Sequence, residues 1–371
     1  MSFESIKYLE AVTPYVQGLR TPEVAKRYGL PPERIAKLAS AENPLGPPPL
    51  AVKAIQDALK DLSLYPHWQA PELRGALAEF QGMDEDQIVV GCGETELMSF
   101  IIRAFSEQGE EILFPIPTFP VYEQIARVER RRPASVHMGE DLIIDPEKLL
   151  QAVNEKTRVL ILTSPNNPLS RTIEVETLRF ILDHISPQIL VLLDEAYMDF
   201  ADETGTQVGL LSHYPNLIVL RTFSKIYGLA GLRVGYGMAN KEIIEALMKV
   251  KPSWNIGGLV AAGASAALKD REHYERTRNM IWEGRAYLVK ELSAFSNVSV
   301  IMKPQANFLC LRILDPNINS TQVFNRLVEG GVIIKDCSVS YKGLGDRYLR
   351  VDVSLRPKMD QFLEELRKVL A

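Results

Sequence analysis

The chain has 371 residues, is 46% hydrophobic and 24% charged, and carries a formal net charge of −5. That is the composition of a soluble globular protein of about two domains, and its acidity, with a pI near 5.7, speaks against a nucleic-acid or anionic-membrane surface. Three scattered cysteines (Cys92, Cys310, Cys337) with no CxxC pair, and five histidines without ligand spacing, indicate neither a disulfide framework nor a metal site.

The first residues, Met-Ser-Phe-Glu-Ser, lack a signal-peptide core, and no stretch approaches transmembrane length, so a reducing cytoplasm is the expected compartment. Residues 1–34 read as an arm, with Tyr15 in a turn-rich segment. The stretch Leu38-Ala-Ser-Ala-Glu-Asn-Pro-Leu-Gly-Pro-Pro-Pro49 is too dense in proline and glycine for helix or central strand. It is either a linker or a rigid frame that presents Glu42 and Asn43. A helix is predicted over 50–62, a loop at Tyr65-Pro66 and a helix over 71–80. A short strand over 87–91 then meets Gly91-Cys-Gly-Glu-Thr-Glu96 and a helix to Phe105. Strand, glycine turn and helix N-terminus together make an anion site, because free N–H groups and the helix dipole converge there.

Apolar runs over 111–114, 159–163, 189–193, 217–222 and 234–238 read as strands, with helices over 174–184 and 241–250 between them. Continuous apolar strands separated by helices predict an α/β unit with a mostly parallel sheet, covered on both faces, over residues 35–265. After a long helix at 271–294 the pattern changes. Short strands near 298–301, 308–313, 332–335 and 349–353, with helices near 321–329 and 358–370, predict a smaller α+β unit over 266–371, which the arm joins.

Ligands of open α/β sheets sit beyond the carboxyl ends of the strands. Four polar signals fall at such ends: Gly91–Glu96, Asn166-Asn167, Asp194 with Tyr197, and Ser224-Lys225 with Arg233. Each has a structural alternative. Asn-Asn-Pro makes a turn by itself, Asp194-Glu195 can cap a helix, and Lys225 can be a solvated loop residue. Together they supply a nucleophilic amine, a carboxylate, a hydroxyl, an amide and an anion cradle. A phosphorylated aldehyde with a basic ring nitrogen uses that whole set: lysine for a Schiff base, aspartate for a protonated ring nitrogen, and cationic and N–H groups for the phosphate. That ligand is pyridoxal phosphate.

The order and spacing of Tyr15, Glu42-Asn-Pro-Leu-Gly46, Tyr65-Pro66, Gly91-x-Gly-x-Thr-Glu96, Pro117-Thr-Phe119, Ser164-Pro-Asn-Asn-Pro168, Asp194-Glu-Ala-Tyr197, Thr222-Phe-Ser-Lys225 and Leu349-Arg350 resemble the fold-type-I, aspartate-aminotransferase-like pyridoxal-phosphate enzymes over essentially the whole chain. Within them the likeness is to the histidinol-phosphate aminotransferase family. The resemblance implies that Lys225 carries the cofactor and moves a proton between the substrate's α-carbon and C4′. It implies that Asp194 pairs with the ring nitrogen, that Asn167 and Tyr197 contact the phenolate oxygen, and that Phe119 stacks on the ring. Glu94 and Thr95 amides, Ser224 and Arg233 would take the phosphate, with Tyr65 reaching it from a second subunit of a homodimer. Tyr15, Asn43, Lys335 and Arg350 would bind substrate. The implied reaction is transfer of the amino group of histidinol phosphate to 2-oxoglutarate.

Read without the resemblance, Arg350 is as readily a surface ion pair, Phe119 a core residue, and Tyr15 and Tyr65 packing residues. The chain departs from the family at Leu169-Ser170, where Thr-Gly is usual, at Ala41, often Asn, and at Lys335, often Arg. Lysine lacks the bidentate fork of arginine, which leaves aromatic amino acid transamination and threonine-phosphate decarboxylation open on the same scaffold. A non-catalytic ligand-sensing domain is the alternative of a different class. It would need an attached DNA-binding module, for which no room exists before residue 35.

Overall fold

The computed structural model describes residues 7–14, 18–202, 205–301 and 303–370; Tyr15 lies outside them. The chain builds a seven-stranded mixed sheet in the spatial order Ile88–Gly91, Gly235–Ala239, Leu217–Thr222, Leu190–Asp194, Thr157–Thr163, Glu111–Ile116, Arg132–His137. Only the pairings of Gly235–Ala239 with its two neighbours are antiparallel, and the rest are parallel. The strands alternate sides as a pleated strand must. Val191, Leu193, Leu217 and Val219 join one core, while Leu190, Leu192, Ile218 and Leu220 join the core on the opposite face. Both faces are therefore buried, which is why these strands read as unbroken apolar runs.

The helices Pro71–Gln81, Glu94–Phe105, Val175–His184 and Lys241–Val250 fall where the sequence periodicity puts them. The predicted 50–62 helix is Pro49–Ala58 followed by a 3-10 turn, Leu59–Asp61. The Arg132–His137 edge strand was not predicted. It contains a proline and faces solvent, so it lacks the apolar run of its neighbours.

A second sheet of four strands is antiparallel throughout and includes Phe308–Ile313 and Tyr348–Asp352. The single strand expected over 332–335 divides between two sheets. Val332–Ile333 pairs parallel with Ala36–Lys37, and Lys335–Asp336 pairs with Tyr348–Asp352. The Thr21–Tyr28 helix also packs here, with Val24 among Ile35, Val328 and Ile333. The segment from Thr21 to Lys37 thus packs against Val328 and the Val332–Ile333 strand, in a small sheet separate from the four-stranded one. Among the described residues no helix is long and apolar enough to cross a membrane.

Candidate active site

The carboxyl ends of the parallel strands open on a cavity of about 200 Å³ lined by Glu94, Thr95, Phe119, Asn167, Asp194, Tyr197, Ser224, Lys225 and Arg233. Nine residues drawn from five separate loops therefore meet on one surface.

One end of the cavity is built for an anion. The Glu94–Phe105 helix starts at Gly93 with no side chain capping its first amides, so these are free to meet a ligand. Gly93 has φ +77°, and a Cβ there would collide with Arg233 Nη2. Only glycine lets the guanidinium approach that close. Arg233 itself is left-handed (φ 55°), a strained conformation for a non-glycine residue, and its Nη1 lies 3.4 Å from Ser224 Oγ. Helix amides, guanidinium and hydroxyl together fit a phosphate dianion.

At the other end stands Asp194, 4% exposed. Its Oδ1 accepts from the Ala196 amide at 3.0 Å and its Oδ2 from the Tyr122 hydroxyl at 2.5 Å. Tyr122 also lies 2.8 Å from Thr163 Oγ1. Burial raises the Asp194 pKa, and these donors oppose the rise. Glu94 is pushed up further, by burial and by the Asp194 carboxylate beside it. Two buried carboxyls side by side resist ionising together, and the Tyr122 and Ala196 donors favour charge on Asp194. Glu94 Oε1 is buried with no partner, so the cavity wall still holds an unspent polar group.

Lys225 shares the cavity wall, its Nζ 5.2 Å from the centroid of the Tyr197 ring and 3.4 Å from the Ala41 carbonyl oxygen. Gly228 (φ +63°) shapes the loop behind it, and a side chain there would strike the Gly46 carbonyl. Burial, then the Arg350 charge, lower the Lys225 pKa from 10.5 to about 8. The neutral nucleophilic amine is thus reached about two units earlier than in an ordinary lysine. Capture of an added aldehyde by Lys225 is expected to quicken with pH and level off near pH 8. Stopped-flow absorbance on ligand-free protein tests this, and a rate still climbing at pH 10 contradicts it.

Tyr197 is buried, which raises its pKa, so it remains a phenol able to donate. Its ring meets Phe308 edge-on at 5.0 Å. Phe119 packs edge-on against Tyr122 at 5.7 Å and presents its ring to the cavity. Asn167 Oδ1 accepts from Arg350 Nη1 at 3.0 Å and from the Tyr341 hydroxyl at 2.8 Å. Asn167 lines the cavity, so its Nδ2 is the amide group left to donate there.

Other predicted residues stand apart. Arg350 is behind Asn167, its Nη2 on the Ala39 carbonyl and Asp352, and its Nε alone has no partner. Lys335 pairs with Arg350 across the strands. Burial, then Arg350, lower the Lys335 pKa. Asn43 is not at the cavity. Its amide nitrogen donates to the Ile226 carbonyl and Thr277, and its oxygen accepts from Leu45, so the side chain is spent on folding the Glu42–Gly46 loop. Tyr65 is 85% exposed and lies against Trp254 at 5.3 Å, away from its own chain's cavity.

Tyr122 and Tyr341 were not singled out from sequence. Tyr122 sits three residues past Phe119 inside an amphipathic helix, Val121–Val128, and reads as core. Tyr341 follows a four-residue helix, Cys337–Ser340, with no motif around it. The Leu169-Ser170 departure also gains a role. Leu169 packs with Cys310, Cys337 and Tyr341. Ser170, left-handed at φ 61°, has its Oγ accepting from the Gln305 and Ala306 amides at 3.0 and 2.8 Å. Those bonds offset the backbone strain that glycine would avoid.

Comparison with known proteins agrees with this geometry. The model of the family described as aminotransferase class I and II matches residues 33–366. This chain belongs to that family. It is 35% identical over 366 residues to the histidinol-phosphate aminotransferase of Methanocaldococcus jannaschii, covering 98% of this chain and 96% of that one. Its fold matches the histidinol-phosphate aminotransferase of Sinorhizobium meliloti in complex with pyridoxal-5′-phosphate, with a TM-score of 0.89, 24% identity and coverage of 100% and 98%. It also matches a double mutant of Thermus thermophilus aspartate aminotransferase, with a TM-score of 0.84, 22% identity and coverage of 100% of each chain. The fold is the aspartate-aminotransferase-like one.

Proposed function

We propose that this class I and II aminotransferase uses pyridoxal phosphate to move the amino group of histidinol phosphate to 2-oxoglutarate, giving imidazole acetol phosphate and glutamate. The observation that carries the cofactor reading is one cavity that gathers Lys225, an uncapped helix N-terminus with Arg233, and a doubly hydrogen-bonded Asp194. The donor set fits the group: cations and amides for a phosphate, a carboxylate for a pyridinium, and the Asn167 Nδ2 and Tyr197 hydroxyl for a phenolate. The substrate reading is supported by the relative at 35% identity and by two cations on neighbouring strands, Arg350 bonded to Asn167 and Lys335 in register with Arg350.

Pyridoxal phosphate bound here supplies an aldehyde that condenses with amines and a pyridinium ring that withdraws electrons from the amine-bearing carbon. The chain's residues do the rest. Asp194 holds the ring nitrogen protonated, and Tyr122 and Ala196 keep that carboxylate ionised and aimed. Asn167 and Tyr197 stabilise the phenolate oxygen. Lys225 would hold the cofactor's aldehyde carbon and, as a free amine, would carry the proton that leaves the substrate's amine-bearing carbon. Its lowered pKa keeps it able to accept that proton near neutrality. Lys335 and Arg350 hold the substrate's anionic group, and Tyr15 belongs to the same proposal.

The active unit we propose is a homodimer in the cytoplasm, with an arm over 1–34, a large unit over 35–265 and a small unit over 266–371. Leu62, Leu64, Tyr65 and Trp254 leave an apolar face on the single chain, each more than half exposed, which a second copy would cover. The partner's Tyr65 would then reach the phosphate cradle. The test is a steady-state assay with histidinol phosphate, phenylalanine and threonine phosphate as donors, run on protein whose mass is read by sedimentation. Turnover of histidinol phosphate well above the others, on a species about twice 41.6 kDa, is expected. No turnover of histidinol phosphate removes the substrate claim, and an active monomer removes the shared site.

A further inference from the structure

Tyr341 belongs to no motif and does not line the cavity, yet its hydroxyl ends on a residue that does. It is 4% exposed, and its oxygen lies 2.8 Å from Asn167 Oδ1 and 3.3 Å from Arg350 Nη1. Asn167 Oδ1 therefore has two donors, one neutral and one cationic. Asn167 lines the cavity, and with its oxygen held by these donors its Nδ2 is the amide group left to donate there. The chain holds Tyr341 there from both sides. Leu344 and Cys337 pack with it from its own segment, and Met138 and Leu169 pack from the loops of the large sheet.

The two donors are not equivalent. In the proposed function Arg350, behind Asn167, is also one of the two cations that meet a substrate anion, and a guanidinium strengthens its bonds by turning toward a carboxylate or phosphate. Each shift toward an anion loosens its hold on Asn167. A phenol hydroxyl gains little from that anion, and Tyr341 is fixed by packing. The amide is thus left on one donor at the moment the substrate is bound.

We propose that Tyr341 is a positioning residue that keeps the Asn167 amide donating to the cofactor's phenolate oxygen when a substrate anion engages Arg350. The inference rests on the cofactor reading above. A donor on the phenolate favours its anionic form and so lowers the pH at which the cofactor-loaded protein loses its proton; losing the donor raises it.

The test is a pH titration of visible absorbance in the loaded wild type and in Tyr341→Phe, each with and without saturating maleate, a dicarboxylate that cannot accept an amino group. Without maleate the two midpoints are expected to agree within about 0.2 units, because Arg350 still holds Asn167. With maleate the variant's midpoint is expected to lie roughly half a unit or more above that of the wild type, as the loss of one charge-assisted hydrogen bond would give. The same substitution made in Asn167→Ala is expected to add no shift. A maleate response of equal size in wild type and Tyr341→Phe overturns the proposal, and so does a maleate-dependent shift that persists without Asn167. A wild type that shows no visible band on addition of pyridoxal phosphate overturns the cofactor reading instead.

Discussion

Replacing Lys225 with alanine is expected to lower transamination by roughly 10⁴-fold or more, since it removes both a covalent attachment point and the group that carries the proton. Nothing else on the cavity wall can take over. Arg233 is the other cation of the wall, and a guanidinium does not give up its proton. Phosphate affinity should survive, because Gly93, Ser224 and Arg233 are untouched. Borohydride reduction followed by dialysis separates the two effects. The wild type should retain cofactor through a reduced bond to Lys225, and Lys225→Ala should release it. Activity within tenfold of wild type in Lys225→Ala would show that another residue does the chemistry.

Asp194→Asn is expected to cost about 10²- to 10³-fold in kcat, the size usual for removing one preorganised electrostatic group. The local network tolerates the change in shape. Asparagine can keep its oxygen on the Ala196 amide, and its new NH2 can donate to Tyr122, whose hydroxyl then turns its proton to Thr163. The fold should remain intact, with a melting temperature within a few degrees of wild type. What is lost is the negative charge that keeps a pyridine nitrogen protonated. A loss of less than tenfold in a variant shown to bind cofactor would mean that Asp194 does not face the ring nitrogen.

The core of the fold was legible because the central strands are buried on both faces. Leu190 to Leu193 and Leu217 to Leu220 alternate between two cores and so carry no polar residue to disguise them. The same physics made Lys225, Asp194 and Asn167 readable, since polar groups at the ends of such strands stand out. The edge strand Arg132–His137 stayed hidden because exposure removes its apolar signature. The split of the 332–336 region between two sheets stayed hidden because short strands record their own faces but not their partners.

The site residues show the same division. Those on the cavity wall came from local motifs, each a strand end followed by a turn. Tyr122 and Tyr341 act through contacts 72 and 174 residues away in sequence, and nothing local marks them. Asn43 shows the other side of this: its side chain bonds the Ile226 carbonyl and the Leu45 amide and builds the proline-rich frame, which its sequence context does not reveal. At Leu169-Ser170, where the family usually has Thr-Gly, the structure shows the leucine in an apolar cluster and the serine hydroxyl bonded to the 305–306 amides.

The most direct measurement is a single half-reaction. Protein loaded with pyridoxal phosphate and freed of excess is mixed with histidinol phosphate, with no oxo acid present, and the visible band is followed. The band should disappear in proportion to the amine added, up to one equivalent per chain, and return when 2-oxoglutarate is supplied. A band that histidinol phosphate leaves unchanged, while phenylalanine or threonine phosphate removes it, would contradict the proposed reaction.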